Sequence, residues 1–301
     1  MKTKMFFATL ILLYLVSYAT EYPDDISTSS NKDGKACRYT EALIVKNLEG
    51  RLSCLQKGYV DTFFTFVTSN YVYLGEISQT PVCNISSIRE ILADSLSRYT
   101  IAINEYTIND LEIWDDFAIL TYSGFVSIKP LRDESIAEHR TFYDFLVFKN
   151  GKWLLYFNCF VINQDQCVPD VVRNTIDENS IETDIQELID VFEAGNAQKS
   201  LEAYHNDITG NFIYLGTFNS SPVCNWESLH IRLQPWMESH TIYYNGWHTN
   251  NLYIRGKLAV HKYTAQMRFN NNNWFTRTLI DVRLKDNQGD WDMYVHTFED
   301  D

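Results

Sequence analysis

The chain has 301 residues, of which 45% are hydrophobic and 15% aromatic, and 39 acidic against 25 basic side chains give a formal net charge of −14. Nucleic-acid-binding surfaces need clusters of basic residues that neutralise phosphates, so this balance excludes nucleic acid as a partner. The length exceeds that of one typical domain and predicts two.

The N-terminus, MKTKMFFATLILLYLVSYAT, has the pattern of a secretory signal peptide. Two lysines precede an apolar run from Met5 to Val16, and Ser17 and Ala19 are small residues spaced for cleavage after Ala19, which gives a signal peptide over 1–19. The run is shorter than the roughly 20 residues that span a bilayer as a helix, so an uncleaved anchor is the less favoured alternative. We therefore expect a protein that is secreted or resides in the secretory-pathway lumen, without membrane contact after cleavage.

The rest of the chain contains an internal repeat. NYVYLGEISQTPVCN, from Asn70, recurs as NFIYLGTFNSSPVCN from Asn211, and a second matching pair of blocks begins at Arg140 and Arg277. Two matching blocks in the same order indicate a duplicated domain. We predict a first domain over 37–162, a linker over 163–178, where periodicity is absent, and a second domain over 179–299.

Each copy begins with helical periodicity. The apolar stripe Ile44, Leu48, Leu52 and Leu55 in the first copy corresponds to Ile181, Ile185, Leu188, Ile189 and Phe192 in the second, which ends at Gly195. Short second helices are predicted over 59–67 and 197–204. A third helix begins in each copy at Asn84 or Asn225, whose side chain caps it.

Strands surround and follow the third helix. The repeated phrase contains a strand at Tyr71–Leu74 or Phe212–Leu215. Stretches rich in β-branched and aromatic residues follow at about 100–107, 110–114, 117–128, 141–148 and 153–161, and the second copy repeats them up to Phe298, with a final hairpin turn at Asn287-Gln288-Gly289. Helices followed by a meandering sheet predict an α+β fold.

Several short motifs in the strand region occur in both copies. They are Asp116-Phe117-Ala118-Ile119-Leu120, Arg140-Thr141, Asp144 and Gly151-Lys152-Trp153, matched by Leu258-Ala259-Val260, Arg277-Thr278, Asp281 and Gly289-Asp290-Trp291. With the helices before them, they resemble the SnoaL-like or nuclear transport factor 2-like superfamily, of cystatin-like fold, once per copy. The resemblance implies two tandem curved antiparallel sheets, each wrapped around two to three N-terminal helices. The superfamily includes isomerases, dehydratases, cyclases and non-catalytic domains, so the resemblance does not fix an activity.

Strand alternation predicts which side chains face the inside of each cone. Positions that are apolar in both copies are taken as inward: Ala118, Leu120, Tyr122, Val126 and Ile128 with Ala259, His261, Tyr263, Met267 and Phe269; Thr141, Tyr143, Phe145 and Val147 with Thr278, Ile280, Val282 and Leu284; Trp153, Leu155 and Phe157 with Trp291, Met293 and Val295. From these the predicted ligand-binding residues are Tyr122, Tyr143, Trp153, His261, Tyr263 and Trp291.

The titratable residues give few catalytic candidates. His261 could be a general base in the second copy, although a core histidine satisfied by the backbone is the more common case, and its counterpart is Leu120. The same alternation places Asp144 and Asp281 on the convex face, paired with an arginine such as Arg140 or Arg283, unless a bulge reverses it. His296 is interpreted as a polar surface or interface residue.

The predicted convex face of the first sheet is strongly apolar. Phe142, Leu146, Phe148, Leu154, Tyr156 and Phe160 would form a patch too large to leave in water. We expect Leu279, Tyr294 and Phe298 of the second sheet to cover it, which would make the chain an intrachain pseudo-dimer.

Cysteine usage fits an oxidising compartment. Cys83 and Cys224 occupy equivalent turns and could form a bridge between the copies or two separate buried thiols, the latter slightly favoured; Cys37 and Cys54, or Cys159 and Cys167, could pair locally. The spacing suits no metal site. Two sequons predict N-glycosylation at Asn84 and Asn219.

These features favour a secreted tandem-domain protein that binds a small apolar molecule in one or both aromatic-lined cones. A non-catalytic protein-interaction module and a cofactor-independent isomerase, dehydratase or cyclase that uses the second domain are the alternatives. No cofactor is expected, and the sequence leans away from an enzyme.

Overall fold

The structure is a computed structural model, and it describes residues 34–76, 80–130, 136–162, 179–184, 186–187, 189–190, 201–202, 208–217, 220–286 and 289–299. The predicted signal peptide over 1–19, the linker over 163–178, the sequon Asn219 and the turn residues Asn287 and Gln288 lie outside this part. So does most of the short helix predicted over 197–204. The chain divides into two compact units, residues 1–167 and 168–301. The domain limits 37–162 and 179–299 stay predictions.

The helices of unit 1 lie where the sequence predicts them. Helix α1 (Gly34–Gln56) buries Ile44, Leu48, Leu52 and Leu55, the stripe predicted to face the core. The short helix α2 (Val60–Phe63) follows, and α3 (Ile85–Arg98) begins after Asn84, whose side-chain oxygen accepts hydrogen bonds from the backbone N–H groups of Ser86 and Ser87. The capping role predicted for Asn84 is confirmed.

Five strands form the sheet of unit 1. They are β1 (Val67–Glu76), β2 (Tyr99–Trp114), β3 (Phe117–Pro130), β4 (Ile136–Lys149) and β5 (Lys152–Ile162), in the spatial order β1-β5-β4-β3-β2. The stretches predicted at 100–107 and 110–114 are one strand, β2, which carries two irregularities in its pairing with β3. The sheet is antiparallel except for the parallel pair β1 and β5.

Unit 2 repeats this arrangement. Helical residues between 179 and 190 precede β6 (Ile208–Thr217) and β7 (Val223–Cys224). Helix α4 (Trp226–Ser239) is capped by Asn225, as predicted. Strands β8 (Ile242–Arg255), β9 (Leu258–Phe269), β10 (Phe275–Lys285) and β11 (Trp291–Phe298) complete a sheet of order β7-β6-β11-β10-β9-β8. Each unit thus combines a sheet with helices that come before its first strand and between its early strands, and the predicted α+β class is confirmed.

Strand register shows that the predicted orientation of β4 and β10 is wrong. Leu120 pairs with Asp144, and Tyr122 pairs with Phe142. Since directly paired residues lie on one face of a sheet, Asp144 and Phe142 share the helix-facing side with Leu120. In unit 2, His261 pairs with Asp281 in the same way. The residues predicted inward on these strands therefore face the opposite side: Thr141, Tyr143, Phe145 and Val147, with Thr278, Ile280, Val282 and Leu284.

A β-bulge changes the orientation of the last strand of each unit. Phe145 and Leu146 pair with Phe157 and Leu155, so Tyr156 is an extra residue, and Val282 and Arg283 pair with Val295 and Met293, so Tyr294 is extra. The bulge leaves Leu155 and Met293 facing inward, as predicted, but it turns Phe157 and Val295 outward and the residues after them inward. The inward residues include Asn158, Phe160, His296 and Phe298, of which Phe160 and Phe298 were expected on the convex side and His296 at a surface or interface.

The predicted convex apolar patch is accordingly wrong in most of its residues, although Leu154, which pairs with the outward-facing Val147, does lie on that face. Phe142, Leu146 and Phe160 belong to the core that packs on α1. The opposite face carries Ile119, Phe145 and Phe157, and these are also buried, with the rings of Phe145 and Phe157 stacked at 4.2 Å. Both faces of the sheet are therefore apolar, which is why apolar positions could not identify the inner one. The pseudo-dimer stays a prediction.

The cysteines differ from the predicted pairing. Cys54 and Cys159 are buried free thiols, so neither Cys37–Cys54 nor Cys159–Cys167 forms. Cys83 and Cys224 are disulfide-bonded, which overturns the preference for two buried thiols at these turns. Within the described residues, no helix is long and apolar enough to cross a membrane, and no cluster of three or more His, Cys, Asp or Glu side chains could hold a metal ion.

Candidate functional site

A cavity of about 420 Å³ lies inside unit 2. It is enclosed by α4 and by the inner faces of β6, β9, β10 and β11, and β8 closes one side. The volume falls within the range of small-molecule sites, roughly 300–1,000 Å³. Apolar side chains form most of its wall: Ile189, Leu201, Ile208, Phe212, Leu229, Leu233, Trp236, Met237, Ile242, Met267, Phe269, Leu279, Met293 and Phe298.

His296 is a polar residue of the cavity wall, and Asp281, which does not line the cavity itself, is its hydrogen-bond partner. His296 lines the cavity, and its Nδ1 lies 2.6 Å from Oδ1 of Asp281, whose side chain is fully buried. The two residues face each other across β10 and β11, and the bulge at Tyr294 puts them on the same face. Oδ2 of Asp281 makes no hydrogen bond among the described residues and lies 3.6 Å from Nη2 of Arg283. The predicted pairing of Asp281 with Arg283 is confirmed, but it is made on the inner face.

The Asp281 carboxylate is ionised at neutral pH. Burial alone would raise the pKa of Asp281, but His296, through its charge and its hydrogen bond, and then Arg283 hold the pKa below its ordinary value. Burial, followed by the Asp281 carboxylate, raises the pKa of Tyr263 well above its ordinary value. The site therefore combines an ionised carboxylate, an imidazole and a neutral phenol beside an apolar cavity.

His261, the catalytic candidate predicted from sequence, is not among the cavity-lining residues. Its ring is fully buried, stacks on Tyr263 at 4.9 Å, and places Nε2 3.0 Å from Oγ1 of Thr249. The Thr249 hydroxyl donates to Glu182, so Nε2 donates to Thr249 and Nδ1 carries the lone pair. Burial lowers the pKa of His261 to about 4, and the imidazole is neutral at physiological pH. Sequence reasoning found the buried histidine but missed His296, because only the bulge turns that residue inward.

Toward solvent the cavity wall becomes cationic. Arg277 on β10 and Arg232 on α4 both line it, with Tyr214 between them. The Tyr214 ring stacks on His296 with centroids 5.7 Å apart. Burial raises the pKa of Tyr214, although the two arginines oppose this shift. Because Arg232 is exposed, the arginines mark the end of the cavity that is nearest to solvent.

The same positions in unit 1 carry a different set of side chains. Nη2 of Arg51, on α1, lies 2.6 Å from Oδ2 of Asp144, and both side chains are fully buried. Asn158 replaces His296 and accepts a hydrogen bond from the Tyr71 hydroxyl at 2.5 Å. Phe142 replaces Leu279 and stacks on Tyr122 at 4.9 Å. The inner carboxylate of unit 1 is thus held in an ion pair inside a packed core.

The predicted ligand-binding residues are distributed over different environments. Tyr263 lines the cavity of unit 2. Tyr122 and Trp153 are buried in the core of unit 1, and Tyr143 faces away from it. Trp291 packs in a second apolar cluster of unit 2, beside Ile181 and Ile254. The ligand-binding role of all six residues, His261 included, stays a prediction.

No family model and no curated protein matches this chain. Solved structures with a similar fold are found. A ketosteroid isomerase-like protein from Erwinia carotovora atroseptica has 12% identity and a TM-score of 0.36, with 41% of this chain and 96% of that chain covered. An NTF2-like protein from Cytophaga hutchinsonii has 11% identity and a TM-score of 0.33, with 41% and 98% covered. A domain of unknown function with a cystatin-like fold from Nostoc punctiforme has 12% identity and a TM-score of 0.34, with 42% and 78% covered.

These proteins share few residues with this chain, and no residue role is taken from them. Each match covers about the length of one unit. Each unit combines helices with a sheet, as the sequence resemblance implied, but both sheets are mixed, because β1 pairs with β5 and β6 pairs with β11 in parallel. The α+β class is confirmed, and membership of the NTF2-like, cystatin-like superfamily stays a prediction.

Proposed function

We propose that unit 2 binds a small, largely apolar molecule in its cavity. The observation that carries this proposal is the wall itself, in which fourteen aliphatic, aromatic or methionine side chains surround a volume of about 420 Å³. A dry apolar wall with a few polar groups at its ends is the usual composition of a small-molecule site. The molecule gains affinity from the apolar surface that it removes from water.

The difference between Leu279 and Phe142 provides the test. Leu279→Phe places in the cavity wall the side chain that unit 1 has at the same position of its sheet. We expect this variant to weaken binding of the neutral fluorescent probe N-phenyl-1-naphthylamine about tenfold or more, because the ring occupies the ligand volume. Leu252→Phe is the matched control, since Leu252 lies on β8 outside the cavity wall.

The measurement is a fluorescence titration, together with native mass spectrometry of the purified protein for a co-purified molecule. Binding by the wild type and by Leu252→Phe, and loss in Leu279→Phe, supports the proposal. Equal binding by the wild type and Leu279→Phe, or no binding by any of them, overturns it.

Acid–base catalysis on the bound molecule is a second candidate function. It is favoured by the His296–Asp281 pair, which places an imidazole oriented by an ionised carboxylate on the wall of the cavity. In such a pair, the nitrogen opposite the carboxylate can remove a proton from a bound molecule. The residues require no metal or cofactor for this role.

His296→Asn tests this candidate, because asparagine is the residue at the same position in unit 1. The expected result is that probe binding is retained while proton exchange is lost. The readout is deuterium uptake from D₂O into the co-purified molecule, followed by NMR. Equal uptake with the wild type and with His296→Asn contradicts catalysis but leaves the binding proposal intact.

We also infer that the protein acts in an oxidising, extracytosolic compartment. The disulfide bonds of Cys83 and Cys224 support this inference, since such bonds persist there and are rare in the cytosol. Asn84 is exposed, and its Oδ1 caps α3, which leaves Nδ2 for the predicted glycan. A mobility shift on glycosidase treatment of secreted protein that is absent in Asn84→Gln is the expected result, and cytosolic retention contradicts the inference.

A further inference from the structure

Arg277 is an unusual component of the cavity wall, because none of the described carboxylates balances its charge. Its guanidinium lies over the Phe298 ring at 4.3 Å and over the Phe275 ring at 5.3 Å. Within the part of the chain that the structure describes, it makes no ion pair, and its buried Nε has no hydrogen-bond partner. Aromatic faces stabilise a guanidinium only in part, and a half-buried cation without an anion is costly.

Unit 1 shows what occupies this position when the charge is balanced. Arg140 lies over Phe160 at 4.4 Å, as Arg277 lies over Phe298. Its Nη2 and Nε donate to Oε2 of Glu138 at 2.6 and 3.0 Å. The residue two positions before Arg277 is Phe275, so unit 2 keeps the arginine and its aromatic platform but lacks the carboxylate.

The neighbours of Arg277 at the outer end of the cavity are also hydrogen-bond donors or cations. Arg232 lines the same end, and one of its Nη atoms donates to the backbone oxygen of Ser221. The Tyr214 hydroxyl, which the charges of both arginines affect, has no hydrogen-bond partner among the described residues. A planar guanidinium and a phenol hydroxyl together suit the oxygens of a carboxylate, sulfonate or phosphate group.

Arg277 and the buried Asp281 carboxylate are separated along β10. Asp281 is four residues along β10 from Arg277 on the same face, which corresponds to roughly 13 Å between their Cα atoms. Leu279 and Phe298 line the wall between them. A molecule with one anionic end is therefore favoured in one orientation, with its apolar part directed toward His296.

We propose that the cavity of unit 2 takes an amphipathic anion, a small molecule with an apolar body and one carboxylate, sulfonate or phosphate group, and that Arg277 binds that group. This inference deepens the proposed function and rests on it. The anionic group of the ligand balances the charge of Arg277, as the Glu138 carboxylate balances the charge of Arg140. Arg232 and Tyr214 stand next to the anionic group and assist its binding.

Two fluorescent probes with the same ring system test the proposal. 8-Anilinonaphthalene-1-sulfonate carries a sulfonate that N-phenyl-1-naphthylamine lacks. We expect the sulfonate probe to bind the wild type more tightly, and Arg277→Met to raise its Kd about tenfold with little change for the neutral probe, as for the loss of one charged hydrogen-bonding group. Arg268→Met is the matched control, because Arg268 stacks on Tyr243 and Trp274 of the same unit but does not line the cavity.

Phe275→Glu provides an independent second variant. It restores beside Arg277 the carboxylate that unit 1 has beside Arg140, and it should remove the preference for the sulfonate probe while the neutral probe still binds. Decanoate, decyl phosphate and decanol as competitors then separate carboxylate from phosphate, with decanol expected to compete least.

The outcomes separate this inference from the proposed function. Equal affinity of the wild type for both probes, or equal losses for both probes in Arg277→Met, overturns the anion site while cavity binding stands. If the sulfonate probe binds Leu279→Phe as tightly as the wild type, the probe binds at the surface, and this result also overturns the anion site. Failure of both probes to bind overturns the proposed function and the anion site together.

Discussion

The two units place an aspartate at the same position of the fold and surround it differently. In unit 1, Asp144 pairs with Arg51 from α1 inside a packed core. In unit 2, Asp281 is held by His296, which also lines a cavity. The register and the bulge of the last two strands are the same in both units, so the difference on these strands lies in the side chains. A duplicated scaffold can thus keep a buried carboxylate in an arginine ion pair in one copy and use it to hold a cavity-lining histidine in the other.

The largest expected effect comes from removing the cation of unit 1. Arg51→Leu leaves Asp144 buried without its guanidinium, which should destabilise unit 1 by about 3–5 kcal/mol. Hydrogen exchange followed by mass spectrometry should show faster exchange in β4 and β5. Arg283→Leu is the matched change in unit 2, and we expect about 1–2 kcal/mol, because Asp281 keeps its hydrogen bond to His296.

The double variant Arg51→Leu/Asp144→Asn is the control, and it should recover part of the lost protection. Equal losses in Arg51→Leu and Arg283→Leu would contradict the distinction between an aspartate held by an arginine and one held by a histidine.

The next effect concerns pH and unit 2. The pKa of His261 falls from 6.5 in the unfolded chain to about 4 in the folded one, so between these values the unfolded state binds more protons. Stability should therefore fall as pH is lowered from 6.5 to 4, by about 3 kcal/mol in total from this residue. His261→Leu, which installs the residue of unit 1, should remove this dependence, as measured by urea titrations at several pH values.

The pKa of Asp281 is lowered in the folded state. The stability that Asp281 contributes is therefore lost only as pH falls below the ordinary carboxylate range, outside the window from pH 6.5 to 4 in which His261 acts. If the unfolding stabilities of the wild type and of His261→Leu change in parallel with pH, burial does not lower the pKa of His261, and the expectation is contradicted.

A smaller effect is expected when the packed core of unit 1 is opened. Phe142→Leu gives unit 1 the residue of unit 2 and should cost about 1–2 kcal/mol through lost packing on Tyr122. It should not create a sulfonate-probe site, because Arg140 remains paired with Glu138. Fluorescence titration in the Leu279→Phe background isolates unit 1, and a new saturable signal there contradicts this expectation.

The smallest effect is on thiol reactivity. Cys54 and Cys159 are free and buried in unit 1, and burial raises the pKa of both thiols. Neither should react with iodoacetamide in the native protein, and both should react faster in Arg51→Leu than in Arg283→Leu. Mass spectrometry of the labelled peptides measures this, and rapid labelling of the wild type contradicts the packed core of unit 1.

The fold was predictable because its signals are local and occur twice. The structure confirms the buried apolar stripe of α1 and the helix caps Asn84 and Asn225. Each of these signals, like the repeated motifs, follows from residues close together in the chain. The site was less predictable. Both faces of the sheet are apolar, so hydrophobicity could not distinguish inside from outside, and one extra residue in β11 reverses the alternation.

The ion pair of Asp144 with Arg51 joins residues 93 positions apart, and it depends on how α1 lies across the sheet. No pattern along the chain contains that information. The sequence shows that Glu138 precedes Arg140 by two residues and that Phe275 precedes Arg277 by two. This difference indicates an anion site only because Arg277 lines the cavity, which the sequence does not show.

The bulge at Tyr294 also bears on how such a pocket can be gained or lost during evolution. Loss of one codon there would rotate the end of β11 by half a turn, exchanging His296 for its neighbours in a single event. Point substitutions would have to alter several side chains to reach the same state. Insertions and deletions in the final strand are therefore the changes to look for when homologous chains with and without a ligand are compared.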